Sequence, residues 1–144
     1  MLCVFRFVLL VVKEIRLSLM TLDHVPFAKL LGIEVASVEP GHAVLTMILR
    51  HEHMRNDAIA HGGVIATLID SSMAIAIMAQ LAENERTVTV DLTIHYLRPV
   101  TEGVVKSSAR VVRAGRKVIT VSAELFDNND KLAATAISTY LRLI

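Results

Sequence analysis

The sequence predicts an α+β fold in which one long central helix is wrapped by a curved antiparallel sheet of about six strands. Residues 61–80 begin His61-Gly62-Gly63 and continue with almost nothing but apolar or small side chains. A helix that is apolar all round is normally enclosed by other structure. Strand-length stretches lie on both sides of it, two before and four after, separated by turn signals. One apolar helix and a run of antiparallel strands are satisfied together when the sheet curls around the helix.

The elements follow in order. Residues 1–19 differ in composition from the rest, with an apolar run from Val4 to Val12 cut by Arg6 and closed by Lys13-Glu14-Ile15-Arg16. They read as an N-terminal extension: an over-long translation start, an extra element packed on a partner subunit, or a membrane-surface anchor. The domain proper is expected over residues 20–144, a size suited to a single core. Leu22 to Gly32 predicts a short helix, with Asp23 able to cap it, Pro26 in its first turn and Gly32 ending it. Residues 33–38 and 43–49 read as a hairpin turning at Glu39-Pro40-Gly41-His42. After the long helix, Glu83-Asn84-Glu85 is expected to be a loop. Thr87 to Tyr96 then alternates strictly, which puts Val88, Val90, Leu92 and Ile94 against the helix and Thr87, Thr89, Asp91, Thr93 and His95 on the opposite face. Three further strands, near 103–113, 116–126 and 131–143, turn at Ala114-Gly115 and at Asp127-Asn128-Asn129-Asp130.

Composition narrows the partners. Fifteen Lys and Arg against fourteen Asp and Glu give a formal charge of +1, and aromatics make up 4%. The chain therefore lacks the basic stripe and stacking platforms of a nucleic-acid binder. A transmembrane span needs about 20 apolar residues, and both apolar runs are interrupted by charge. Cys3 is the single cysteine, so there is no internal disulfide, no metal-ligand spacing emerges, and a reducing cytoplasm fits.

Asp70 stands in the middle of the apolar helix. A carboxylate removed from water costs several kcal/mol unless it is paired, which calls for an explanation in function or in core pairing with Thr67, Ser71 or Ser72. With His61-Gly62-Gly63 nine positions earlier, this acid resembles the pattern of hotdog-fold acyl-CoA thioesterases. The likeness is to the phenylacetate-degradation (PaaI-like) branch of the 4-hydroxybenzoyl-CoA thioesterase superfamily, and it covers residues 20–144. Thr89-Val90-Asp91, Arg98-Pro99 and, more weakly, Gly115-Arg116-Lys117 extend it. The branch usually has Asn six residues before the His and Gly three before it. Here those positions hold Arg55 and Ala58, and Asn56, one residue nearer, is taken as the equivalent of the Asn.

The resemblance implies hydrolysis of an acyl- or aryl-acyl-CoA to free acid and coenzyme A, with no metal or redox cofactor. N–H groups at a helix start lie at the positive end of the dipole and lack intrahelical partners, and glycine allows close approach. Gly62 and Gly63 suit a substrate carbonyl, and the resemblance makes Gly62 the oxyanion donor; the alternative is a tight turn into the helix. His61 would orient this loop or touch the carbonyl. Asp70 would act as general base on water or as nucleophile. Thr89 matches a hydroxyl that helps hold the attacking water, or is an ordinary strand residue. Arg98, Arg113, Arg116 and Lys117 are candidates for the coenzyme A phosphates. Asp91 and His95 are read as subunit-contact or solvated residues.

Eight residues of helix at ~1.5 Å each place Gly62 and Asp70 roughly 12 Å apart, too far to serve one carbonyl. If both are catalytic, the donor and the acid must come from different subunits, and an obligate homodimer with two composite sites is expected; the resemblance implies a further pairing into a homotetramer. A non-catalytic acyl-CoA-binding module is the alternative function. A hotdog dehydratase ranks last, since no His is paired with an acid in the expected way.

Overall fold

The computed structural model describes residues 20–143 apart from Glu83. The expected extension over residues 1–19 lies outside the described residues, as do Glu83 of the predicted loop and Ile144. The first helix, α1, is shorter than expected, spanning Pro26–Leu31. Its N-cap is Val25, without a side-chain bond, so Asp23 does not cap it. Pro26 at the first position loses nothing there, because that N–H would have no helical partner. Gly32 closes the helix at φ 69°, and its N–H reaches the carbonyls of Ala28 and Lys29.

Strands β1 (Ile33–Glu39) and β2 (His42–Ile48) form the expected hairpin, with Gly41 turning at φ 77°. A short 3-10 turn, His51–His53, leads through a loop to the long helix α2 (Gly62–Met78). Strands β3 (Arg86–Tyr96), β4 (Val104–Ala114), β5 (Val118–Phe126) and β6 (Leu132–Leu143) follow. They complete one antiparallel sheet in the order β1-β2-β4-β5-β6-β3. Strand β3 thus crosses from α2 to the far edge, beside β6.

Helix α2 buries Ile65, Leu68, Ile69, Ser72, Met73, Ala76 and Ile77, a stripe at spacings of three and four. The stripe packs on the fully buried Leu45, Met47, Val105, Ile119, Val121 and Leu125 of the sheet. Its one polar member is satisfied: the Ser72 hydroxyl donates to the Ile69 carbonyl at 2.7 Å and so accepts from Ser107, also at 2.7 Å.

Two expectations need correction. The helix is not enclosed on all sides: Gly63, Thr67, Asp70, Ser71, Ala74 and Met78 form a second stripe that the described residues leave half-buried or exposed. The sheet curls over one face of α2 only, and these mostly small side chains carry no bulk to close the other. Nor does β3 alternate strictly. Its register against β6 runs Thr89↔Tyr140 and then Asp91↔Thr139, so Val90 is an extra residue in a bulge. Asp91 Oδ1 accepts the Thr139 N–H at 3.2 Å and closes the gap in the ladder. The bulge turns Thr87 and Thr89 toward the helix together with Leu92 and Ile94, leaving Val88 and Val90 at 45% and 61% exposure.

Candidate active site

The two features singled out on α2 are built differently. Asp70 sits on the open stripe and is held from the sheet side. The Tyr140 hydroxyl donates to its Oδ1 at 2.7 Å and to its backbone carbonyl at 3.2 Å, and the Thr89 hydroxyl donates to the same Oδ1 at 3.1 Å. Burial of Tyr140, reinforced by its bond to the Asp70 carboxylate, pushes the phenol well above its ordinary value and keeps it a donor. Among the described residues both side-chain donors converge on Oδ1 and none reaches Oδ2. One oxygen is therefore fixed, and the other has no donor among the described residues. Tyr140 escaped the sequence reading; the signal was an aromatic hydroxyl closing the small-residue series Ala134, Ala136, Ser138 on the helix-facing side of β6.

At the start of α2, His61 is the N-cap, and its Nδ1 accepts the Gly63 N–H at 2.9 Å. That bond requires Nδ1 to be unprotonated and puts the ring proton on Nε2. The Val64 and Ile65 N–H groups reach the His61 carbonyl at 3.0 and 3.3 Å. The Gly62 N–H has no acceptor among the described residues. On its other side Gly62 offers its carbonyl to the Tyr96 hydroxyl at 2.9 Å, a phenol whose proton is held more tightly than usual by burial. The Gly62 amide is therefore positioned and unused, whereas that of Gly63 is committed to His61.

Two cavities separate these features. One of about 620 Å³ is lined by Gly62 and Gly63 with Arg55, Ile65, Tyr96, Arg98, Val100 and Leu125 among others, and one of about 420 Å³ by Asp70, Thr67, Ser71, Thr89 and Phe27 among others. Neither contains both Gly62 and Asp70. Asn56 stands on an exposed turn and lines neither. The basic residues divide in the same way. Arg98 adjoins the start of β6, where its N–H reaches Ala133, and Arg113, Arg116 and Lys117 lie around the β4–β5 turn, where the Lys117 carbonyl takes the Arg142 N–H. From Ala133 to Arg142 the strand covers roughly 30 Å. His95 and Asp91 lie outside both cavities.

A serine–histidine–carboxylate chain lies on the outer face of the sheet. His42 Nδ1 meets Glu39 Oε1 and its Nε2 meets Ser108 Oγ, both at 3.0 Å. Ser108 is in mid-strand, and β4 is hydrogen-bonded on both sides, so its backbone offers no free N–H for an oxyanion. This chain reads as a cross-strand network. Among the described residues no three His, Cys, Asp or Glu side chains gather as a metal site, and no helix is long and apolar enough to cross a membrane.

One antiparallel sheet wrapped on one long helix defines the hotdog class of fold. Comparison with known proteins gives the family. The family model described as the thioesterase superfamily matches residues 58–134. The medium/long-chain acyl-CoA thioesterase YigI of Salmonella typhimurium is 28% identical over 133 residues, covering 82% of this chain and 86% of YigI. Among solved structures, the phenylacetic acid degradation protein PaaI of Thermus thermophilus is 31% identical, with a TM-score of 0.76 over 82% of this chain and 99% of that one. A conserved protein of Pseudomonas aeruginosa is 30% identical, with a TM-score of 0.79 over 82% and 94%. The chain belongs to the thioesterase superfamily: it has the hotdog fold, its relatives include PaaI proteins, and it is a thioester hydrolase.

Proposed function

We propose that the protein hydrolyses acyl-CoA thioesters at sites shared between two subunits, Gly62 of one facing Asp70 of the other. The observation that carries this reading is the separation of an unused helix-start amide from an anchored carboxylate, which lie on one helix, in different cavities and roughly 12 Å apart. The open stripe of α2 and the unpaired edge of β3 are the surfaces that a second copy would cover.

In this arrangement the thioester oxygen accepts the Gly62 N–H, and the amide strengthens its hold as negative charge develops on that oxygen. Asp70, fixed through Oδ1, presents Oδ2 either to a water, whose proton it takes as the water oxygen attacks the carbonyl carbon, or to that carbon directly. On the first route the C–S bond breaks and the coenzyme A sulfur leaves with the proton that Asp70 took from the water. On the second it leaves as a thiolate protonated by solvent, and water then cleaves the acyl–Asp70 anhydride to the free acid and the restored carboxylate. Water is the only co-reactant required. His61 holds the loop through Gly63, and Thr89 orients the carboxylate.

The test is thiol release from a panel of acyl-CoAs by wild type and by Asp70→Asn, which keeps the side-chain shape. The substitution is expected to lower kcat at least ~10²-fold, the scale of a lost acid–base group. No release by the wild type from any acyl-CoA would leave a binding module, and an unimpaired Asn variant would remove Asp70 from the mechanism.

A further inference from the structure

We propose that Arg55 binds an anionic group of the substrate in the cavity that the Gly62 amide lines. The inference rests on the reading of Gly62 as the donor to the thioester carbonyl.

The loop before α2 is held in one shape by its own backbone. Met54 bridges Ala60, and the Arg55 N–H reaches the Ile59 carbonyl at 2.7 Å. Ala58 lies between them at φ 57°, a left-handed conformation that a residue with a Cβ adopts only under constraint from its surroundings. This shape puts Arg55 into the cavity lining and leaves Asn56 out of it. Arg55 therefore borders the same space as Gly62, and Asn56, one residue further on, does not.

The charge balance of the cavity favours an anion. Its walls include Ile65, Val100, Leu125 and Ala134; its charged lining residues are Arg55 and Arg98, and no acid is among them. Arg55 is nonetheless oriented, since its Nη2 meets Asp57 Oδ2 at 2.7 Å. Both side chains are about half exposed, 55% and 46%. An ion pair in that much water contributes little to stability, so a substrate anion can take the place of Asp57 at slight cost. A guanidinium has five donors, enough to keep one bond to Asp57 while forking onto a carboxylate or phosphate.

Two parts of an acyl-CoA supply such an anion: a carboxylate at the far end of the acyl chain, or the phosphates of the coenzyme. Three substrates separate them, namely hexanoyl-CoA, adipoyl-CoA and S-hexanoyl-pantetheine. Replacing Arg55 by Gln is expected to raise KM at least tenfold for the substrate carrying the recognised anion, with kcat changed far less. A rise confined to adipoyl-CoA identifies the carboxylate. A rise for both CoA esters that spares the pantetheine ester identifies the phosphates. Asp57→Asn, outside the cavity lining, should lower the same KM because it frees the guanidinium. Calorimetric titration of adipoyl-CoA and of coenzyme A into Asp70→Asn and into the Asp70→Asn, Arg55→Gln double variant reads the same contact as Kd whether or not turnover occurs. Equal KM and Kd with and without Arg55 would overturn the proposal and leave the thioesterase reading standing, and an equal loss for all three esters would also overturn it, since that marks a general distortion of the loop.

Discussion

The first four N–H groups of α2 are not equivalent: those of Gly63, Val64 and Ile65 all find acceptors on His61, while that of Gly62 finds none among the described residues. The difference offers a substitution that removes one hydrogen-bond donor and little else. Gly62 is the first helical residue, where proline is favoured because the missing N–H makes no helical bond. His61 before it is extended at φ −63° and ψ 134°, the conformation that a following proline demands. A Cβ at Gly62 would meet the Tyr96 hydroxyl at 3.5 Å, an ordinary contact, so Gly62→Ala keeps both the N–H and the fold. Gly62→Pro should therefore lower kcat by ~10²–10³-fold, the cost of one lost oxyanion donor, while Gly62→Ala stays far closer to wild type. Thermal melts of the two variants should agree within a few degrees. A Pro variant as active as the Ala variant would take the amide out of the chemistry.

The loop between β2 and α2 is held together by a buried histidine. His53 is 1% exposed; its Nδ1 accepts the Arg50 N–H at 3.2 Å, and its carbonyl accepts the His61 N–H at 2.8 Å. The Arg50 guanidinium packs beside the ring and donates to the Leu30 carbonyl at the end of α1. Burial, with the Arg50 charge adding to it, holds the His53 imidazolium below the ordinary 6.5. As pH falls through that ordinary value the unfolded chain takes up a proton that the native chain refuses. The contribution of His53 to stability is therefore complete above it and declines as pH falls toward the depressed native value. Melting temperature should drop between pH 7 and pH 5.5, and His53→Gln should show a smaller drop; equal drops would mean that other groups govern the acid limb. The sequence made some of this scale legible and hid the rest for physical reasons. Gly32 and Gly41 announced a helix end and a turn because both need positive φ, and the apolar run announced α2. The β3 bulge was hidden because Thr87 to Tyr96 alternates without fault, and the break is imposed by pairing with β6. Tyr140 was hidden because Ile137 and Leu141 on the outer face of β6 are more apolar than the Ala134, Ala136 and Ser138 that face the helix. Asp70 and Gly62 stood out as candidates because a mid-helix acid and a glycine pair violate local preference; Arg55 did not, because it is the loop's shape that brings it into the cavity lining.

At the scale of the molecule the question is how a second copy would bring Asp70 to Gly62, and β3 sets the geometry. It is an edge strand of eleven residues with Val88 and Val90 exposed, a long apolar edge that single chains seldom leave open. Pairing of two β3 strands about a two-fold axis would continue the sheet from one subunit into the other. Tyr96 touches Gly62, and Thr89 touches Asp70. The composite site therefore requires Tyr96 to lie opposite the partner subunit's Thr89. Because Val90 and Asp91 occupy one position in the bulge, counting inward places Ile94 opposite the partner's Leu92 and Thr93 opposite its own copy. The same pairing brings the Arg98 end of one subunit to the Arg86 end of the other, near the partner's Lys117, so basic groups that lie far apart in one chain would flank one site. Facing residues of antiparallel strands lie ~4.5–5.5 Å apart at Cα, within the range a disulfide spans. In a Cys3→Ser background, Thr93→Cys should thus give a covalent dimer under mild oxidation on a non-reducing gel, and Thr87→Cys, displaced from the axis, should not. A dimer by light scattering that cross-links through Thr87 and not Thr93 would refute this register, and a fully active monomer would refute the shared site itself.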